Sequence, residues 1–343
     1  FDKSNVMKLD NFNGYVPGLT VAKNDGAGRV VTIRGIGWET AQNLASQPSV
    51  LTYIDGIYLA NPLSMGLDLG ELERVEVFRG PQGTEFGQGT TGGAINLVTK
   101  KPVLGETSGY FEAGYGNYQT VNLRTAVNFP MGDNSAIRAS IQKHSHEGFA
   151  EIKGGAIDGY ELDDADSISA KVALLFEPSE TFSLLLQGFV HESDQNAAAQ
   201  KNIADPNPNP RELTQDYPGI FNLDTETISL ILEWQISDSL SLKSLSGYQK
   251  LEKEQTTDGD RLTQDTISID RLGFFSPDNW DVLPFWDNNS EATSQEIVLT
   301  YRSDSVDWVL GGYYLDHDNF NDFLEATGPA PFSAFASAVA NPS

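Results

Sequence analysis

The chain has no cysteine among its 343 residues. That excludes disulfides, thiolate metal sites and cysteine nucleophiles. It contains no apolar run of about eighteen residues, so no transmembrane helix is expected. The opening Phe1-Asp2-Lys3 lacks the charged-then-apolar start of a signal peptide, so the numbering is expected to begin inside a mature chain. Cations are scarce: 22 Lys and Arg stand against 48 Asp and Glu, a net charge of −26. Nucleic-acid binding needs cationic stripes, and this composition argues against it. The shortage is uneven. Residues 1–104 carry nine cations and ten anions, whereas residues 105–343 carry thirteen and thirty-eight. Such an acidic region reads either as a solvated, self-repelling surface or as loops that meet divalent cations or a cationic ligand.

Glycine is where the chain is rich. Residues 72–102 read LERVEVFRGPQGTEFGQGTTGGAINLVTKKP. Two β-patterned runs, 74–78 and 94–99, flank a hinge holding Gly80, Gly83, Gly87, Gly89, Gly92 and Gly93. So many glycines imply a tightly folded, non-helical unit packed close to something else. Within it, Gly87-Gln88-Gly89-Thr90-Thr91-Gly92 fits the spacing of a dinucleotide-binding loop. That fingerprint requires a helix to follow, and the apolar, β-branched Ala94-Ile95-Asn96-Leu97-Val98 follows instead, so the nucleotide reading is set aside. Upstream, short strands are expected near residues 16–21 and 29–35. A strand pair is expected around the Asp55-Gly56 turn at 50–59. One helical turn is expected near 67–72.

These segments resemble a known family. VPGLTV (16–21), TIRGIG (32–37), YIDGIYL (53–59) and the 72–102 stretch follow the order and spacing of the plug domain of TonB-dependent outer-membrane receptors. The resemblance implies a small α+β plug over residues 1–104. It implies that residues 105–343 are the first portion of a transmembrane antiparallel barrel of about twenty-two strands. The TonB-contact peptide is then expected upstream of Phe1, and the remaining strands beyond Ser343.

The residues of the second region carry the barrel reading on their own. Val121, Leu123, Val127 and Phe129 alternate with Asn122, Arg124, Ala126 and Asn128, as a strand with one lipid face must. The same alternation sets Ile168, Ala170, Val172, Leu174 and Phe176 against Ser167, Ser169, Lys171 and Glu177. It recurs at 227–236 and 296–301. About nine strands are expected, at 107–115, 119–130, 135–145, 164–177, 181–192, 224–236, 239–254, 291–302 and 306–318. Short turns at 130–134, 177–180, 237–239 and 303–305 alternate with long connections at 145–163, 193–222 and 256–290, which is the outer-membrane pattern. The connection at 116–118 is short and breaks it. A soluble β-sandwich would explain the alternation but not the regular turns.

No catalytic constellation emerges, and the chain is expected not to be an enzyme. His144 and His146 lack a clear third ligand. Asp163, Asp164 and Asp166 lack the glycine and spacing of a calcium loop, so neither a metal nor a cofactor is expected. Ligand contacts are expected instead. By position, the loops holding Asp25, Trp38 with Thr40, and Asn61 with Leu63 match the family's outward plug loops. The aromatic stretch around Arg271, Trp280, Phe285 and Trp286 suits stacking on a sugar, an aromatic acid or a catecholate, or packing of the loop on itself. The resemblance also implies that Arg34 and Arg79 pair with barrel glutamates of later strands, since a charge between plug and wall is costly unless paired.

The function implied is TonB-dependent uptake of a scarce ligand, with a ferric siderophore as the default. An oligosaccharide or a lignin-derived aromatic nutrient is the alternative. A non-transporting outer-membrane binding or scaffold protein is the alternative of another class. The partners implied are the TonB–ExbB–ExbD coupling complex, outer-membrane lipid with lipopolysaccharide, and a small-molecule ligand.

Overall fold

In the computed structural model, the described residues are 12–23, 29–37, 48–61, 63–64, 71–81, 91–203, 205–259, 261 and 280–329. The first strands are β1 (Leu19–Lys23), β2 (Arg29–Ile33) and β3 (Ile36–Gly37), which form a small meander. A second sheet contains β4 (Val50–Ile54), β5 (Ile57–Tyr58), β6 (Leu72–Arg79) and β7 (Gly93–Thr99), in the order β5-β4-β7-β6. β4 runs parallel to β7, and β6 antiparallel to it. The β4–β5 connection is the two-residue Asp55-Gly56 turn. Both residues have positive φ, 51° and 86°, as a type I′ hairpin turn demands.

After residue 104 the architecture becomes one curtain of antiparallel strands. It begins with β8 (Ser108–Tyr115), β9 (Val121–Pro130) and β10 (Ser135–His146). The next connection carries two short strands, β11 (Ala150–Ile152) and β12 (Glu161–Leu162). The curtain resumes with β13 (Ala165–Ser179) and β14 (Phe182–Asn196), is interrupted by β15 (Glu212–Leu213), and continues through β16 (Ile220–Ser237) and β17 (Leu240–Thr256). It ends in β18 (Trp280–Arg302) and β19 (Asp307–Pro329). Nine strands pair in chain order, β8 to β19, with β11, β12 and β15 forming a separate small sheet. Among the described residues there is no α-helix, only short 3-10 turns such as Gly155–Ile157, and no helix long and apolar enough to cross a membrane. The helical turn expected near 67–72 falls largely outside the described residues; Leu72 itself opens β6.

The curtain has two chemically distinct faces. Val127, Phe129, Val172, Ile228 and Ile297 are among its most exposed apolar side chains. Their neighbours Ala126, Asn128, Lys171 and Ser229 are buried on the other side. That is a lipid-facing band outside and a polar wall inside. The strands lengthen along the sheet, from 8 residues in β8 to 23 in each of β18 and β19. A membrane-crossing strand needs only about 9–11 residues, so the last hairpin extends far past the lipid band. All of that extension lies at the ends away from the tight turns, since the hairpin closes at the Arg302–Asp307 pair. Strands expected at 291–302 and 306–318 therefore run about eleven residues further on this side. The run Trp280-Asp281-Val282-Leu283-Pro284, expected in the long connection 256–290, is strand although proline removes a ladder donor. Pro284 is tolerated one residue past the end of β17, whose register stops at Thr256–Phe285.

The first sheets sit against the inner face of the curtain. Leu19, Val21, Val31, Ile33, Val50, Ile95 and Leu97 make a core that Phe221, Leu223 and Leu251 of the wall complete. The unit at 12–100 thus buries some of its apolar surface only by being inside the sheet.

Candidate functional site

The site built by this arrangement is the seam between the inner unit and the wall. Asp55 sits there because the tight β4–β5 turn pushes its side chain back towards β7. Its carboxylate accepts from the Thr99 amide at 2.8 Å and the Thr99 hydroxyl at 2.7 Å. From the wall, the Gln187 amide donates to it at 3.0 Å. The buried Lys171 of β13 donates to the Thr99 hydroxyl and, at 3.4 Å, to the Lys100 carbonyl. A second tie joins Glu71, just before β6, to β10. Arg138 donates to both oxygens of Glu71, from Nε at 2.7 Å and Nη2 at 2.6 Å. Glu71 is 4% exposed and the Arg138 side chain 11%. This is the forked, charge-assisted geometry that suits guanidinium and carboxylate best. Further round the wall, Gln249 of β17 donates to the Tyr58 carbonyl at 2.6 Å and accepts from the Ala60 amide at 3.2 Å. Asn61 donates to Asn288 at 3.1 Å. Asn128 pins the connecting stretch through the Val103 amide and carbonyl, both at 2.9 Å, and the Glu106 carbonyl at 2.7 Å.

Electrostatics within the inner unit follow its contacts. A hydrogen bond from Asn96, with Arg74 beside it, holds the Glu76 carboxyl below its usual range although burial opposes this. Burial and the neighbouring Tyr313 push the Tyr58 hydroxyl up to about 12. Among the described residues the seam presents no nucleophile with a base. Among the described residues no group of three or more His, Asp or Glu is placed to hold a metal.

Comparison with known proteins points to one family. The family model of the TonB-dependent receptor plug domain matches residues 1–94. The pesticin receptor of Yersinia pestis is 31% identical over 128 residues, covering 37% of this chain and 18% of that protein. The structure of the ferric yersiniabactin uptake receptor from Yersinia pestis superposes with a TM-score of 0.77 at 19% identity, over 95% of this chain and 48% of that one. The siderophore receptor PiuA of Acinetobacter baumannii gives a TM-score of 0.68 at 18% identity, over 96% of this chain and 46% of the other. Residues 1–94 match the plug domain of the TonB-dependent receptors, and the chain as a whole shares the fold of outer-membrane β-barrel receptors. It spans less than half the length of the relatives just named. At these identities the superposed structures establish the fold alone.

In this chain the expected ligand and locking residues fall in several places. Asp25, Trp38, Thr40 and Arg271 lie outside the described residues. Asn61 and Leu63 are buried; Asn61 is engaged by the wall through Asn288 and accepts from the Leu63 amide at 3.0 Å. Trp280 starts β18 by backbone pairing with Pro329. Phe285 and Trp286 are half-buried on the extended portion of β18, where Trp286 packs on Phe323 with ring centroids 5.3 Å apart. The Lys253 ammonium lies 5.8 Å from the Trp286 ring and 6.0 Å from Phe221. Arg34 and Arg79 are exposed, and no ion pair joins them to a wall carboxylate among the described residues. The buried pair found here has the opposite polarity, a wall arginine on a plug glutamate. His144 and His146 stack edge-on at 5.4 Å, with His144 against Asn122. Asp166 pairs with Lys143, and Asp164 accepts from the Asn196 amide at 2.7 Å.

Apart from Asp55, which the Asp-Gly turn marks, the seam residues Glu71, Thr99, Arg138, Lys171, Gln187 and Gln249 do not stand out in the sequence. One signal does mark the wall members. Arg138 and Lys171 are among only thirteen cations of the acidic region, and both fall at inward-facing strand positions.

The outer mouth is also ordered. β11 pairs with β12 and, in parallel, with β15, tying two long outer loops together over a small core of Ile152, Leu162 and Leu213. Beside it, burial disfavours ionised Asp205. The Asn207 and Thr214 amides and the Lys201 ammonium outweigh this and hold the carboxyl below its usual range.

Proposed function

We propose that this chain forms the plug, residues 1–104, and the first portion of the barrel wall, residues 105–343, of a TonB-dependent importer. It binds a scarce ligand at the outer mouth and releases it inward when the plug is pulled, with no bond made or broken. The observation that carries the reading is the seam. A separate plug is held inside a membrane wall by the buried Glu71–Arg138 fork and the Asp55–Thr99–Gln187 cluster, contacts strong enough to seal and discrete enough to be broken. TonB with ExbB and ExbD is the partner that supplies the pull.

The default ligand is a ferric siderophore, supported by two structural neighbours, a ferric yersiniabactin uptake receptor and a siderophore receptor. Phe285 and Trp286, with Phe323 and Lys253 beside them, are the described candidates for stacking on such a ligand at the mouth. Asp25, Trp38, Thr40, Asn61, Leu63, Arg271 and Trp280 complete the candidate set, and Arg34 and Arg79 remain candidate locks to strands beyond β19.

The test is the amount of this protein in outer membranes from iron-starved and iron-replete cells, followed by energised uptake of radio-iron complexes. A several-fold rise on starvation and uptake that stops without TonB support the reading. An unchanged amount sinks the iron assignment and moves the search to oligosaccharide and aromatic carbon sources. Uptake of neither class leaves a binding or scaffold protein.

A further inference from the structure

One cation at the outer mouth is held mainly by neutral oxygens. The tract Asp205-Pro206-Asn207-Pro208-Asn209-Pro210 alternates a short polar side chain with proline. Each proline lacks an N–H, so the backbone has few donors with which to close turns on itself. The side chains close them instead. Asp205, Asn207 and Asn209 each accept from the amide two residues on, at 2.8, 3.0 and 3.1 Å. The tract is therefore poor in donors and rich in oxygen.

Lys201 supplies what is missing. Its ammonium donates to the Asn209 carbonyl at 3.0 Å and to the Glu212 carbonyl, and lies 3.3 Å from the Asp205 carboxylate. That gives each of its N–H groups an acceptor. The carboxylate is not the close partner that an ordinary ion pair would show, at about 2.7–2.9 Å. The Asp205 side chain has no exposed surface, and that of Lys201 is 22% exposed. Glu212 can offer its carbonyl because β15 pairs with β11 through the carbonyls on either side of it. Arg211 accepts from the Glu151 amide at 2.9 Å and Leu213 from the Lys153 amide at 2.8 Å. The Glu212 carboxylate is held by the Asn207 and Asn209 side-chain amides at 3.0 and 2.8 Å. The ammonium thus sits where the connection 197–219 meets the strand that ties it to the connection 147–164.

We infer that the Asp205 carboxylate and the Asn209 and Glu212 carbonyls form a site for a small monovalent cation, with the Lys201 ammonium as its tethered occupant. Carbonyl oxygens replace water around a potassium ion, and an ammonium group is of similar size. Calcium takes about six to eight oxygen ligands, which one carboxylate and two carbonyls do not supply. The tether clasps two outer loops as a bound metal ion would, but no chelator can extract it. That advantage matters at the mouth of a receptor for metal chelators, and for this purpose alone the inference rests on the transport reading.

The test removes the tether from the purified outer-membrane protein and offers it free cations. Amide exchange of Lys201→Ala is followed in choline chloride, then in potassium or ammonium chloride at equal ionic strength. In choline, the Asn207 and Thr214 amides are expected to exchange roughly tenfold faster than in the unaltered protein, and the Glu151 and Lys153 amides of the other loop with them. Potassium and ammonium are expected to restore protection, because they fit the site and choline does not. The unaltered protein is expected to exchange alike in all three salts and with a chelator present. Unchanged exchange of Lys201→Ala in choline overturns the inference, since the ammonium then clasps nothing. Loosening that neither small cation repairs also overturns it, since the lysine then acts through its stem. Acetylation of lysines in the unaltered protein is a second measurement and depends on no variant. Lys201 is expected to react several-fold more slowly than Lys153, whose side chain is 39% exposed; equal or faster reaction overturns the inference. Neither measurement involves a transported ligand, so failure of the iron-uptake test leaves both standing.

Discussion

Replacing Glu71 by Gln tests whether buried charge holds the plug. The substitution keeps the shape and removes the charge that Arg138 was brought inside to meet. Arg138 then stays largely buried against a neutral amide. Breaking a buried pair by removing one partner costs about 3–5 kcal/mol, most of it the uncompensated charge. Lys100, 4.0 Å from the same carboxylate, adds little because it is partly exposed. With a urea dependence of about 2 kcal/mol per molar, a loss of about 3 kcal/mol lowers the midpoint of plug release by about 1.5 M. The assay is amide exchange at Lys100, whose N–H donates to the Glu71 carbonyl at 3.0 Å, followed against urea in the purified protein. The control is Glu73→Gln, whose exposed pair with Arg74 contributes at most about 1 kcal/mol. Equal shifts in the two variants refute the reasoning. So does full stability in Glu71→Gln with undiminished stability in Arg138→Gln.

Three further outcomes follow from the same structure. Asp55→Asn removes the charged acceptor shared by Thr99 and Gln187, and is expected to destabilise plug docking by about 1–3 kcal/mol, seen as faster exchange at the Thr99 amide. Val172→Arg puts a charge on the lipid face and is expected to cost about 2–4 kcal/mol if near the midplane, read as a lower yield of heat-resistant barrel; the inward Ser169→Arg is the contrasting position. The outer loop around Asp205 has a pH dependence of fixed sign. Its folded carboxyl is held below its ordinary value of 3.8, so its stabilisation is present above that pH and lost as the pH falls further. Exchange at the Asn207 and Thr214 amides, corrected for intrinsic rate, is expected to rise below pH 3.8 and to be flat between 5 and about 7.

The curtain of strands was legible because a membrane imposes period two with apolar side chains on one face, and lipid leaves no way to disguise it. Ile168, Val172 and Phe176 show this directly. The Asp55-Gly56 hairpin was legible because only certain residues accept two successive positive φ angles. The outer halves of β18 and β19 were not. Above the lipid band the outward face meets water, so Asp287, Asn289 and Glu291 alternate with nothing apolar to oppose them. The seam was not legible for a related reason. An inward polar residue on a barrel strand gives the same pattern whether it meets water or the plug. Arg138 and Arg124 are both inward arginines in neighbouring strands, yet the first reaches Glu71 and the second the exposed Glu112. Glu71 itself looked like an ordinary charge before a strand.

The chemistry of the seam bears on whether the plug can leave and return. Among the described residues no strand ladder joins the plug to the wall. Every plug–wall hydrogen bond described above uses at least one side chain. A ladder would have to be broken cooperatively, bond after bond, whereas side-chain contacts separate singly and re-form from rotamer searches that take nanoseconds or less. What opposes separation is therefore concentrated in a few groups. They are the Glu71–Arg138 fork, the Asp55 cluster, and the apolar core that Phe221, Leu223 and Leu251 share with Ile95 and Leu97. The wall supplies cations and the plug supplies anions, although the wall belongs to the strongly acidic region of the chain. Part of its acidity lies on the other face: the row Glu192, Asp224 and Glu252, paired across β14, β16 and β17, is on the face that carries Val172 and Ile228. Placing Arg138 and Lys171 inward at the clamp turns a wall that would repel the plug into one that captures Glu71 and Asp55, and only where they dock.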